Sequence, residues 1–250
     1  GNYFWDRDAG AEVMMNDPKY LRTGTLLAAL ADAGAKVAVV TAKDKMRALL
    51  GHRLNGICFS SEKAAEATRA THGIDDVVAM VGLPVPSVYS AALSEFVFAA
   101  GVALMRLAPE RRPDVMYLST TDYIQHKHAP GSAGANAFYA MMDGYLAALD
   151  AMGCVIALTA DHGMNDKSDA AGKPNVIWLQ DVLDARFGTG DTTVICPITD
   201  YFVAHHGALG GFVRVWSKGT VSARQIIEHI AGIDGIEMAL DREAACKMFD

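Results

Sequence analysis

Apolar residues follow two alternating patterns over the first two thirds of the chain. The leucines between Leu21 and Leu30 recur at helical spacing, and Gly34 follows them as a helix stop. A continuous apolar run, Val37–Val40, comes next and is typical of a strand that is buried on both faces. Helices that alternate with such strands predict an α/β domain built around a parallel sheet.

The same alternation recurs further along the chain. Helical spacing predicts helices at residues 87–107 and 133–153. Short apolar runs, DVMYLST at residues 114–120 and CVIALTA at residues 154–160, predict two more buried strands. The predicted sheet therefore continues to about residue 160.

After Lys167 the pattern changes to shorter apolar stretches separated by turns. Residues 175–188 are predicted to be the first of three short strands, and a helix, a strand and a second helix are predicted from residue 222 onwards. The sequence therefore predicts two domains, an α/β core at residues 1–168 and a smaller α+β cap domain at residues 169–250.

Composition narrows the range of partners. The 250-residue chain is 51% hydrophobic, which is enough for a substantial core, and it carries a net charge of −7. It contains no basic tract, which argues against nucleic acid or an anionic membrane as a partner. The four cysteines form no Cys-x-x-Cys pair, and no apolar run is long enough to cross a bilayer. We therefore expect a cytoplasmic protein without disulfides, with Cys154 as a buried thiol.

Polar clusters follow three of the predicted strands at the point where each strand ends. They are TAKDK (residues 41–45), STTDYIQH (residues 119–126) and ADHGMN (residues 160–165). Ligands of parallel α/β sheets bind at the carboxyl ends of the strands. The three clusters therefore predict one common site.

Two aspartate–histidine pairs in these clusters are candidate metal ligands. Asp122 and His126 are four residues apart and would share one face of a helical turn, whereas Asp161 and His162 are adjacent. A carboxylate oxygen and an imidazole nitrogen suit zinc or manganese better than magnesium or calcium. Either pair alone also fits an ordinary turn. Their joint placement predicts a two-metal site of the kind that clamps a phosphoryl group, with the ions about 4 Å apart.

Lysines and further histidines give weaker signals. Lys43 and Lys45 could hold an anionic group or could simply open a solvated helix, and both interpretations stay open. His205 and His206 could complete a metal site, but the glycines around them favour a turn or an interdomain contact. His128 is expected at the surface.

Taken together, TTDYIQHKHAPG, TADHGMN, TAKDK and HHGALG resemble the phosphonoacetate hydrolases. These form a zinc-dependent family of the alkaline phosphatase superfamily, related to the nucleotide pyrophosphatases/phosphodiesterases. The likeness runs along nearly the whole chain. It implies an alkaline-phosphatase-like core, with a mostly parallel sheet flanked by helices, and a smaller α+β cap domain.

The resemblance also implies an activity and a set of roles. The reaction would be hydrolysis of the carbon–phosphorus bond of phosphonoacetate, which gives acetate and phosphate. The expected partner is a small phosphonate, and a homodimer stays open. By this resemblance, Asp122 and His126 would hold one zinc ion, Asp161 and His162 would hold the other, Lys43 and Lys45 would bind the substrate carboxylate, and His126 would also face the substrate.

Three residues of the family pattern have no match in this sequence. They are an aspartate zinc ligand, a threonine nucleophile and a last zinc-binding histidine. Thr120 and Thr121 do not fit the nucleophile motif, so the catalytic nucleophile stays unassigned and the chain is interpreted as part of a larger enzyme. Two alternatives remain: a phosphomonoesterase or phosphodiesterase with the same fold, and a non-catalytic metal-binding fragment.

Overall fold

The computed structural model describes residues 3–197 and 211–249. Their helices and strands belong to two compact units. In chain order they are β1 (Tyr3–Asp6), β2 (Ala11–Met14), α1 (Leu26–Asp32), β3 (Val37–Thr41), α2 (Asp44–Leu50), β4 (Ile57–Ser60), α3 (Arg69–His72), α4 (Val77–Val81), α5 (Ala92–Met105), β5 (Val115–Ser119), α6 (Ala133–Ala151), α7 (Leu179–Phe187), β6 (Thr192–Ile195), β7 (Arg214–Ser217), α8 (Ala223–Ile230) and α9 (Arg242–Phe249).

The division between the units differs from the predicted boundary between residues 168 and 169. One unit is Asn16–Met164, and the other combines Gly1–Met15 with Asn165–Asp250. The first strands join the C-terminal unit because the antiparallel hairpin of β1 and β2 is tied to the end of β6. The Tyr3 N–H donates to the Pro197 carbonyl oxygen at 2.8 Å.

The unit Asn16–Met164 is built on a three-stranded parallel sheet with the order β4-β3-β5. All five residues of the central strand β3 are buried, as the continuous apolar run predicts. Helices cover both faces of the sheet. Val39 packs with Leu30 of α1 on one face, and Val40 packs with Phe96 of α5 on the other. The prediction of a parallel sheet flanked by helices is confirmed.

Helix α5 packs against β5. A Cβ atom at Gly101 would be 2.7 Å from the Leu118 Cδ1 atom, so a larger residue at Gly101 would require the Leu118 side chain to shift. Helix α6 packs on α5, with the Tyr145 ring stacked on the Phe98 ring at a centroid distance of 6.4 Å. These contacts make α5 the buried centre of the unit.

The predicted strand at residues 154–160 is wrong. Residues 154–164 form no helix or strand, and the side chains at residues 155–163 are exposed. Val155 is 100% exposed and Leu158 is 71% exposed, while Cys154 is half-buried and not buried as predicted. An apolar run becomes a strand only when a neighbouring strand accepts its hydrogen bonds. In the described part of the chain β5 pairs only with β3, and no strand lies on its other side.

The other unit contains the antiparallel pair β6–β7 and the helices α7, α8 and α9. Its core is formed by apolar residues of α7 and α8, including Leu183 and Ile226. The predicted strand at residues 175–188 is wrong, because α7 occupies this stretch. The strand predicted between the last two helices is also wrong, since residues 231–241 form no strand.

A side chain of α7 pairs with the backbone of β6. The Val194 N–H donates to the Gln180 Oε1 atom at 2.8 Å. The Gln180 Nε2 atom donates to the Thr192 carbonyl oxygen at 3.4 Å and to the Asp184 carboxylate at 2.8 Å. The amide thereby fixes α7 against β6.

Two further features bear on the sequence predictions. All four cysteines are free, and burial raises the pKa of the Cys58 thiol to about 11. Among the described residues, none of the helices has the length and apolar character needed to cross a membrane.

Candidate functional site

The carboxyl ends of the three parallel strands meet at one edge of the sheet. The Ala42 N–H donates to the Ser119 carbonyl oxygen at 2.9 Å, which continues the β3–β5 pairing. The Ser61 N–H donates to the Thr41 carbonyl oxygen at 2.8 Å on the β4 side. The sequences TAKDK and STTDYIQH therefore begin side by side, as predicted.

Asp122 and His126 lie on a single helical turn that follows β5. The His126 N–H donates to the Asp122 carbonyl oxygen at 3.0 Å, and the His126 Nε2 atom lies 3.0 Å from the Asp122 Oδ2 atom. The His126 side chain is 35% exposed and the Asp122 side chain is 52% exposed. One carboxylate oxygen and one imidazole nitrogen are thus in contact on the same turn, as the four-residue spacing predicts. His128 is exposed, as expected.

Asp161 and His162 form a looser and more exposed pair. The His162 Nε2 atom lies 3.8 Å from the Asp161 Oδ1 atom, and the Asp161 side chain is 93% exposed. The His162 Nδ1 atom lies 2.9 Å from the Gly163 carbonyl oxygen. Because a carbonyl oxygen only accepts, this contact places the N–H on Nδ1 and the lone pair of the neutral ring on Nε2.

The pKa of the His162 imidazole is raised by its surroundings. The Gly163 carbonyl raises the pKa of His162 most strongly, and the negative charges of Asp161 and Asp122 raise it further. Asp122 makes the smallest of these contributions to the His162 pKa. Asp161 and His162 follow no strand, so the structure places only Asp122 and His126 at a strand end.

The donor atoms suit zinc, but each pair supplies only part of a coordination shell. Carboxylate oxygen and imidazole nitrogen are ordinary zinc ligands, and catalytic zinc sites usually have three protein ligands. Within residues 3–197 and 211–249, no group of three or more His, Cys, Asp and Glu side chains is placed to hold a metal ion. His205 and His206 lie outside the described residues.

Lys43 lies between β3 and α2 at the same sheet edge and is held in place by neighbours. Its Nζ atom donates to the Val88 carbonyl oxygen at 3.0 Å and lies 5.5 Å from the centroid of the Tyr89 ring. The Thr41 hydroxyl donates to the Lys43 carbonyl oxygen at 2.8 Å. Lys45 follows in the first turn of α2 and is half-buried. The ammonium group of Lys43 is thus oriented, in contrast to a freely solvated lysine.

The first turn of α2 is occupied by carboxylates. The Asp44 N–H donates to the Glu62 Oε2 atom at 2.8 Å. The Asp44 carboxylate accepts from Arg47 at 2.6 Å and from the Ser60 hydroxyl at 3.0 Å. Burial would raise the pKa of Asp44, but the hydrogen bonds from Arg47 and Ser60 hold it below its usual value. The Asp44 N–H is therefore not available to an external anion.

Two buried serines at this edge were missed by the sequence analysis. Ser61 is 1 residue beyond β4 and Ser94 lies in the first turn of α5, and both are 0% exposed. Their hydroxyl groups contact residues 32 and 27 positions away along the chain. No local pattern reports contacts at such separations, so only the folded structure reveals them.

Comparison with known proteins adds two findings. Residues 1–224 match the profile of the type I phosphodiesterase / nucleotide pyrophosphatase family. Two solved structures of phosphonoacetate hydrolase from Sinorhizobium meliloti 1021, one in complex with phosphonoacetate and one with phosphonoformate, each match at a TM-score of 0.93 and 56% identity. The match covers 100% of this chain and 61% of each of those chains, so this chain spans about three fifths of their length.

Proposed function

Because the chain belongs to the type I phosphodiesterase / nucleotide pyrophosphatase family, we propose that it carries metal- and substrate-binding residues of a hydrolase that acts on phosphonoacetate. The observation that supports this most strongly is the 56% identity, over the whole of this chain, to a protein solved with phosphonoacetate. The Asp122–His126 pair and the oriented Lys43 side chain at one sheet edge agree with it.

The two pairs are proposed to hold two zinc ions, with manganese as the other ion that suits the same donors. Asp122 and His126 would hold one ion, and Asp161 and His162 the other. When bound, the ions would supply positive charge to the phosphonate oxygens. His126, on the turn after β5, would also face the substrate.

The lysines are proposed to bind the carboxylate of phosphonoacetate. Breaking a carbon–phosphorus bond leaves its electron pair on carbon, and a carbanion is a poor leaving group. The adjacent carboxylate can take up this charge as an enolate. An ammonium group held beside the carboxylate stabilises the charge as it develops, which lowers the barrier. Lys43 is suited to this role because Val88 and Tyr89 hold its side chain in place.

The overall step balances as a hydrolysis. An oxygen nucleophile forms a bond to phosphorus, the phosphorus–carbon bond breaks, and the electron pair stays on the methylene carbon. That carbon then takes up a proton, which gives acetate, and one water molecule supplies in total both this proton and the oxygen with which phosphorus leaves as phosphate. The nucleophile is not assigned to a residue of this chain.

The test compares one variant on two substrates. Lys43→Ala is expected to reduce phosphate release from phosphonoacetate by about 100-fold or more, a loss typical of removing a group that stabilises transition-state charge. Hydrolysis of a nitrophenyl phosphate diester, which has no carboxylate, should change by only a few fold. Lys19→Ala, which removes an exposed lysine paired with Asp17, is the matched control and should leave both rates unchanged.

Metal removal and the wild-type rates complete the test. A strong chelator should abolish both activities, and added zinc should restore them. Equal losses on both substrates in Lys43→Ala would contradict the proposed role of the lysine. A wild-type protein that releases no phosphate from phosphonoacetate but cleaves the diester would favour the second candidate, a phosphodiesterase, which the family description supports.

A further inference from the structure

The amino-terminal turn of α5 contacts the residues that directly follow β4 and the chain just beyond β5. Ser94 and Gly101 are seven residues apart, so they lie two turns apart on the same face of the helix. Gly101 meets Leu118 within β5, and Ser94 meets the chain just beyond β5. The same face of α5 therefore supports the strand and the residues that leave it.

Ser94 bonds both backbone polar groups of Thr121. The Thr121 N–H donates to the Ser94 Oγ atom at 3.1 Å, and the Ser94 hydroxyl donates to the Thr121 carbonyl oxygen at 3.3 Å. Ser94 is 0% exposed, so water does not compete for these bonds. Thr121 is directly followed by Asp122, and fixing the Thr121 peptide sets the direction in which Asp122 and its turn begin.

Ser61 makes the corresponding link on the β3 side. Its Oγ atom lies 3.0 Å from the Leu93 carbonyl oxygen of α5 and 3.3 Å from the Ala42 carbonyl oxygen. The single hydroxyl hydrogen is shared between these two acceptors, and Ser61 is also 0% exposed. Ala42 is directly followed by Lys43, so this bond fixes the backbone that presents the lysine.

We propose that Ser94 and Ser61 are positioning residues with separate tasks: Ser94 sets the Asp122–His126 pair for its metal ion, and Ser61 sets Lys43 for the substrate carboxylate. The inference rests on the proposed function and deepens it. Removing a group that orients a metal ligand commonly changes metal affinity by about 10–100-fold. The two serines should therefore affect different measured quantities, although Ser94 lies in the same turn of α5 that Ser61 contacts.

The experiment compares Ser94→Ala, Ser61→Ala and the control Ser132→Ala. The Ser132 hydroxyl caps α6 by accepting the Ala135 N–H at 3.4 Å, so the control also removes a serine hydrogen bond but leaves the strand ends in place. Zinc affinity, by competition with a chromogenic chelator, should weaken about 10–100-fold in Ser94→Ala and stay unchanged in the other two. The KM for phosphonoacetate should rise about 10-fold in Ser61→Ala, and saturating zinc should restore turnover only in Ser94→Ala.

A second measurement needs neither metal nor activity. In the metal-free protein, amide hydrogen exchange at Thr121 should accelerate about 10-fold in Ser94→Ala and stay unchanged in Ser61→Ala and Ser132→Ala. If the alanine variants do not fold, Ser94→Cys and Ser61→Cys fill nearly the same space with a weaker hydrogen-bonding group and carry the same comparison. Wild-type protein that lacks phosphonoacetate turnover would count against the proposed function, while zinc affinity and Thr121 exchange would still decide the role of Ser94.

The proposal is overturned by either of two results. The first is that zinc affinity and Thr121 exchange in Ser94→Ala match those of Ser132→Ala. The second is that Ser94→Ala and Ser61→Ala change zinc affinity and KM by the same factors, because a purely structural role would not separate the two quantities.

Discussion

The two aspartate–histidine pairs lie on segments that are held in very different ways. Asp122 belongs to what we call the packed edge, which consists of β3, β4 and β5 with the residues that follow them as far as Lys43, Glu62 and Asp122. Asp161 belongs to the exposed segment, residues 155–163, which forms no helix or strand. The first pair has its nitrogen and oxygen 3.0 Å apart, and the second pair 3.8 Å apart.

The difference shows which residues of the candidate site are positioned by the fold alone. On the packed edge, buried hydrogen bonds from Ser94 and Ser61 and the contacts of α5 fix the backbone before any ligand binds. The side chains of the exposed segment are not buried, so Asp161 and His162 keep their rotamer freedom until a bound ligand orders them. The comparison can be tested by changing equivalent residues in both regions.

The largest difference is expected from truncating an apolar side chain in each region. Phe59→Ala removes a completely buried ring from β4 and should lower the free energy of unfolding by about 3–5 kcal/mol. Leu158→Ala, in the exposed segment, should change it by less than about 0.5 kcal/mol, because little buried contact is lost. Denaturant unfolding measures both. Similar costs would show that the exposed segment is packed in solution.

The next difference concerns thiol reactivity. Burial raises the pKa of Cys58 in β4 to about 11, so only about one molecule in a thousand has this thiolate at pH 8. Alkylation by iodoacetamide should therefore be at least about 100-fold slower at Cys58 than at Cys154, which directly precedes the exposed segment. The exposed Cys246 is the reference for an accessible thiol. Equal rates at Cys58 and Cys154 would mean that the packed edge opens readily.

The smallest effect is expected from a charge change. The pKa of Asp44 is lowered in the folded protein, so its carboxylate contributes stability above its unfolded pKa, and this contribution is lost as the pH falls through the lower folded value. Asp44→Asn should therefore lower the free energy of unfolding by about 1 kcal/mol at pH 7. Below about pH 4 this cost should shrink towards zero.

Asp161→Asn supplies the matching measurement in the exposed segment. In metal-free protein it should have no measurable effect on stability at either pH, because the Asp161 side chain is 93% exposed. A cost for Asp44→Asn that grows as the pH falls would contradict the assigned direction of the pKa shift.

The sequence was most informative where burial and pairing agree with a local pattern. The apolar run at β3 and the helical spacing of α5 and α6 predicted these elements correctly, because their partners lie within the described sheet and helices. The same type of apolar run at residues 154–160 gave a wrong strand prediction, because hydrophobic periodicity does not show whether a neighbouring strand is present. Helix α7 was missed although Leu179 and Leu183 are one helical turn apart and both buried.

The candidate site was predictable to a similar extent. The spacing of Asp122 and His126 was enough to predict that they share a turn. The rule that parallel strands end at the same sheet edge was enough to predict that TAKDK lies beside STTDYIQH. The orientation of Lys43 by Val88 and Tyr89 depends on a loop about 45 residues away, and the serine contacts depend on α5. Contacts of this kind are made by tertiary packing, so no window of the sequence reveals them.

The side-chain amide of Gln180 has a consequence for the behaviour of this protein at high concentration. A strand with unpaired N–H and C=O groups is a template on which another chain can add a strand, and this is a common start of aggregation. Gln180 occupies the Val194 N–H and the Thr192 carbonyl oxygen of β6 with one amide, as an extra strand would. Helix α7 thereby blocks the addition of a strand from another molecule to β6 at Thr192 and Val194.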